Sequence, residues 1–134
     1  MKSKKISRPA KKFSRRRKKE IEFLSQIVEK KPDYIEALEL LSEIYTKSGD
    51  IESGIDIDRR LIFLQPFEPS HYYNLACDYA LSGKKDKALL YLKIAIILGF
   101  NDFDYMNRDP DLACLKGDKE YERLIKRFSS RRIK

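Results

Sequence analysis

The sequence predicts an all-α fold built by repetition, and three observations carry that prediction. Chemically alike residues recur at a spacing of 34: Pro32 and Pro66, Leu41 and Leu75, Tyr45 and Tyr79, Gly49 and Gly83. Between these points, apolar side chains return every three or four residues, the period of one helix face. Gly and Pro stand where one helix must stop and the next begin. A fixed period of this length marks an architecture whose units bury their apolar faces against one another.

Helical pattern begins near Arg17, where Ile21, Phe23, Leu24, Ile27 and Val28 give one broad apolar face with Glu20, Glu22 and Glu29 opposite, and Pro32 ends it. Residues 34–47 form the next helix, with Leu38, Leu41, Ile44 and Tyr45 at helical spacing. In the turn Ser48-Gly49-Asp50, Gly supplies a left-handed residue and Asp caps the following helix, residues 51–64. Pro69 suits the first turn of a helix over 69–81, because its missing N–H is not needed there. Ser82-Gly83 hinges it to a helix over 85–98. Beyond Gly99 the period is lost. A short helix over 102–108, a break at Asp109-Pro110, one or two turns over 111–115 and an amphipathic helix over 119–128 are expected.

The second copy reads Tyr72-x2-Leu75-Ala76-x2-Tyr79, then Gly83, Ala88, Leu92 and Ala95. This resembles the tetratricopeptide repeat (TPR), whose pattern places small residues where two helices cross closely. The first copy, Leu38-x2-Leu41-Ser42-x2-Tyr45, Gly49 and Gly54, departs from it with Asp58 at the large apolar position and Leu61 at the second small one. The resemblance implies a right-handed α-solenoid of about three helix pairs: a half repeat over 17–31, repeats over 35–68 and 69–102, and a capping segment over 103–128. That segment resembles the closing element of many bacterial TPR proteins. Repeat arrays need such a cap to cover their last apolar face, here that of Ile94, Ile97 and Leu98.

The net charge of +8 is unevenly placed. Residues 1–19 hold 11 Lys/Arg and no acid, residues 126–134 hold 5 and no acid, and residues 20–125 carry −8. Basic ends on an acidic body follow. Residues 1–16 have too few apolar side chains to offset ordering and are expected to be a disordered arm, with 129–134 a basic tail. The basic start has no apolar core behind it, unlike a secretory signal. The most apolar run, 89–100, is 12 residues long, well short of the roughly 20 that span a bilayer. A cytoplasmic protein is expected, or a nuclear one in a eukaryote, with no membrane partner.

No catalytic constellation stands out: there is no Gly-rich phosphate loop, HExxH or GxSxG. Cys77 and Cys114 lie in no CxxC or Cys/His cluster. The single histidine, His71, reads as a packing or surface residue. The acidic pairs Asp56/Asp58 and Asp109/Asp111 read as turn and solvated-face residues. The sequence therefore points away from an enzyme, and no cofactor or metal is expected.

In TPR proteins the first helices of successive repeats line a concave groove that binds an extended peptide or a helix. By that resemblance, the groove here is lined by Glu36, Glu39, Leu40, Glu43 and Lys47 from the first repeat. Ser70, Tyr73, Asn74, Cys77 and Leu81 line it from the second. Some chaperone-binding TPR proteins clamp a terminal carboxylate with Lys, Arg and Asn. Asn74 matches one such position, but Glu39 and Glu43 would repel a carboxylate, so a basic or mixed-charge segment suits the groove better. The implied function is that of a protein-binding adaptor or assembly factor. A second reading assigns Lys11, Lys12, Arg15, Arg16, Arg17, Lys18 and Lys19 to non-specific binding of RNA or ribosomal phosphates.

Overall fold

The computed structural model describes residues 11–132, with side chains described for residues 15–130. Seven α-helices and one 3-10 turn follow in order, and no strand occurs among the described residues. They are α1 (Lys11–Lys30), α2 (Ile35–Lys47), α3 (Ile51–Leu64), α4 (Pro69–Leu81), α5 (Lys85–Ile97), α6 (Phe103–Arg108), the 3-10 turn (Pro110–Leu115) and α7 (Lys119–Arg132). Each of α1 to α5 packs on its neighbours in sequence, so the first five form a row of antiparallel helices.

The turns show why the chain folds back at a regular interval. Gly49 and Gly83 adopt φ of 84° and 79°, which a Cβ would strain. In both turns the backbone closes identically: Asp50 N–H donates to Tyr45 C=O at 3.0 Å, and Lys84 N–H to Tyr79 C=O at 2.9 Å. Asp50 accepts from Ser53 N–H as the cap of α3, while Glu68 caps α4, with Pro69 in its first turn.

Burial also repeats at 34. Leu41 and Leu75, Ser42 and Ala76, Gly54 and Ala88, Asp58 and Leu92, Leu61 and Ala95 are all buried. Two apolar clusters result. Leu24 and Val28 of α1 join Leu38 and Leu41 of α2 and Leu61 of α3. Leu75, Ala76 and Tyr79 of α4 join Ala88, Leu92 and Ala95 of α5, together with Phe103, Met106, Leu112, Leu115 and Tyr121 beyond them. Ala88 and Ala95 have no exposed surface. Ala88→Leu should therefore overpack the α4–α5 crossing and cost roughly 1–3 kcal/mol, read as a lower melting temperature. An unchanged melting temperature would contradict this register.

Three expectations need correction. α1 starts at Lys11 rather than Arg17, so residues 11–16 are helical and not a disordered arm; residues 1–10 lie outside the described residues. A run of like charge has no apolar period, so nothing in its pattern announces the helix. α7 continues past Phe128 to Arg132, taking in part of the expected tail; residues 133–134 lie outside the description. The C-terminal segment covers α4 more than the outer face of α5: the 3-10 turn packs on α4, and Ile97 remains 60% exposed.

Candidate peptide-binding groove

A groove of about 410 Å³ lies between the sides of α2 and α4 and the segment around the α6–3-10 junction. Helix α2 contributes Glu39, Glu43 and Lys47, which sit at successive spacings of four on one face. Helix α4 contributes Tyr73, Asn74 and Cys77. Six of the ten expected groove residues thus meet. Leu40 instead lines a separate cleft between α1 and α2, beside Arg16, Arg17 and Glu20. Glu36 is exposed in the first turn of α2, where its charge favours the helix dipole. Leu81 is exposed at the end of α4 and does not reach the groove, and Ser70 bonds Glu68 at the start of that helix.

Tyr105, Asp109 and Asp111 complete the wall and were not anticipated. Asp109 opens the 3-10 turn, where its Oδ1 accepts from Asp111 N–H at 3.0 Å. It is also buried, unlike a solvated turn residue. Its Oδ2 accepts from Tyr73 OH at 2.5 Å and, more weakly, from Cys77 Sγ at 3.7 Å. These donors offset the cost of burying the carboxylate. Burial raises the pKa of the Tyr73 hydroxyl and of the Cys77 thiol, so both remain protonated donors at neutral pH. Burial, and then the nearby Asp109, raises the pKa of Asp111. Tyr73 stacks on Phe100 at 4.2 Å, and Tyr105 leans against it at 6.1 Å with its outer side exposed. An aromatic edge therefore adjoins the acidic wall. Lys47, the cation among the groove's lining residues, bonds Glu43 at 2.9 Å in an exposed pair worth little.

Beneath the groove, α2 reaches α3 and α4 through hydroxyls. Ser42 donates to Asp58 Oδ1 at 2.6 Å, and Thr46 donates to Asp78 Oδ1 at 3.0 Å. The two carboxyls influence each other's protonation, and Asp58 Oδ2 and Asp78 Oδ2 are buried with no other hydrogen-bond partner among the described residues. Asp58 is wholly buried, which corrects the solvated reading of Asp56/Asp58; only Asp56 is exposed. Burial first, and then Asp78, pushes Asp58 up to about 9, so at neutral pH it is a neutral acid that donates to Asp78. Gly54 leaves room beside them: a Cβ there would come within 3.2 Å of Thr46 Oγ1 and 3.6 Å of Asp78 Oδ2. His71 is buried, its Nε2 2.7 Å from Gln65 Oε1, and burial lowers its pKa. It packs at the start of α4 rather than lining the groove.

The seven basic residues of the second reading all belong to α1. Arg15, Arg16, Lys18 and Lys19 are exposed, and Arg17 donates to the Lys47 carbonyl at 2.6 Å, tying α1 to the end of α2. Among the described residues, no cluster of His, Cys, Asp and Glu is placed to hold a metal ion, and no helix is long and apolar enough to cross a membrane.

Fold and groove define an all-α, repeat-like protein with an acidic recess between its helices. No protein-family model matches the chain. A stretch of 87 residues, 63% of the chain, is 28% identical to a chloroplastic protein of Arabidopsis thaliana. The chain spans only about a quarter of that protein, the match covering 26% of its length.

Proposed function

We propose that this chain is a non-enzymatic protein-binding module of TPR type, an adaptor or assembly factor whose groove holds a cationic or mixed-charge peptide or helix. The matching turns and burial at a spacing of 34 support the TPR reading. The observation that carries the function is the groove's own charge. Glu39, Glu43, Asp109 and Asp111 line it, against Lys47 alone among cations, which Glu43 already engages. A Lys or Arg of the ligand would meet carboxylates and the exposed edge of Tyr105 together, which favours cations over anions. Free thiols at Cys77 and Cys114 support a reducing, cytoplasmic setting.

Selection of a random peptide library on the immobilised chain tests this. Bound sequences should be enriched in Lys and Arg, and Glu39→Lys with Glu43→Lys should weaken them at least ten-fold at low salt. Both substitutions lie on the exposed face of α2, so folding should persist. Acidic or purely apolar binders, or binders indifferent to the double substitution, would rule the groove out as the site.

A further inference from the structure

Helix α1 carries a second surface of different chemistry from the groove. Arg16, Lys19, Phe23, Gln26 and Lys30 follow one another at spacings of three and four, so they form one stripe along the helix. All five are exposed, Phe23 at 64%. Lys12 holds the next position of the same register, and no acid falls on it. Arg15 and Lys18 are exposed beside the stripe. The opposite side is occupied: Leu24 and Val28 are buried against α2, and Arg17 bonds the Lys47 carbonyl. Of the flanking acids, Glu20 is the one that approaches Arg16, in the α1–α2 cleft that Glu43 also lines.

We propose that this stripe binds single-stranded nucleic acid, with Arg16, Lys19 and Lys30 on phosphates and Phe23 stacked on a base. Cations in a line on a rigid helix match a polyanion whose charges also run in a line. An exposed aromatic among them adds a face on which any base can stack. An anionic membrane fits less well, because the apolar side of α1 is already buried and, among the described residues of that helix, Phe23 is the one exposed large apolar side chain left to insert. A docking acidic helix fits less well, because it would need an apolar seam, and the stripe offers one apolar residue in five. The acidic body beneath would keep the strand on α1.

Anisotropy of a labelled 20-nucleotide oligouridylate, titrated with the full chain from 50 to 300 mM KCl, tests the proposal. Binding should weaken linearly on a log–log plot against salt. Arg16→Gln with Lys19→Gln should flatten that slope by about 1.4, since each phosphate contact on a single strand contributes about 0.7. Phe23→Ala should weaken binding by roughly five-fold or more and leave the slope unchanged. These side chains are exposed, and thermal melts should confirm that the variants fold as the parent does. The proposal fails if the RNA does not bind at 50 mM KCl. It fails equally if Phe23→Ala binds as tightly as the parent, which would leave only diffuse charge. Vesicles of phosphatidylcholine and phosphatidylserine bound in place of RNA, or polyglutamate competing as well as unlabelled RNA, would assign the stripe to another partner.

Discussion

A chain ending at Gly99 is expected to lose cooperative unfolding and to aggregate. The segment it lacks is part of the core. Phe103, Met106, Leu112, Leu115 and Tyr121 are buried in the same cluster as Leu75, Tyr79, Ala88 and Leu92. Burying a large apolar side chain stabilises by roughly 1.5–3 kcal/mol, so five of them represent about 7–15 kcal/mol. That equals the roughly 5–15 kcal/mol that separates a typical folded domain from its unfolded chain. Truncation would also take Asp109 from the Tyr73 hydroxyl and bare the side of α4 that the 3-10 turn covers. Exposed apolar surface of this extent promotes association. Urea denaturation followed by circular dichroism, with sedimentation to detect aggregates, measures both effects. A soluble 1–99 fragment with one sharp transition would show that the C-terminal segment is an independent appendage.

The helices and turns of the repeats were legible because local signals and the 34-residue period agree. Gly49 and Gly83 mark two left-handed turns, and Pro69 marks a helix start. The groove was only partly legible. Glu39, Glu43 and Asn74 were implied by the resemblance to TPR proteins, whereas Tyr105, Asp109 and Asp111 lie beyond the 34-residue copies and reach the groove through tertiary packing. Asp109-Pro110 signalled a turn, but its buried contact with Tyr73, 36 residues away, has no local signature. Asp58 offered a signal that composition obscured. It shares its register position with the buried Leu92, and that equivalence, rather than the usual habit of aspartates, anticipates its burial. Phe23 belonged to the expected broad face of α1 on sequence, yet it is exposed, because α1 packs chiefly on α2 and does so through Leu24 and Val28.

Stability is expected to fall as pH rises from about 6 to about 9, and the buried acid pair is the cause. Asp58 takes its proton at about 9 in the folded chain, against an ordinary aspartate value of 3.8. Between those values the folded state holds a proton that the unfolded state has released, so alkali favours unfolding. One such proton corresponds to a loss of roughly 1.4 kcal/mol per pH unit. The contribution is fully present below the unfolded value and gone once pH passes the folded one. Asp78 shifts upward too and acts in the same direction. His71 acts oppositely, since its lowered pKa makes its contribution fade as pH falls below about 6.5, so it touches only the lower edge of this window. Cys77 and Tyr73, raised from 9.0 and 10.0, act only at more alkaline pH. Asp58→Asn keeps a donor toward Asp78 and an acceptor for Ser42 but removes the titration. Urea midpoints at pH 6, 7, 8 and 9 should therefore decline steeply for the parent and much less for Asp58→Asn. The same midpoint at all four values in the parent, or an equal decline in Asp58→Asn, would mean that no proton is shared beneath the groove.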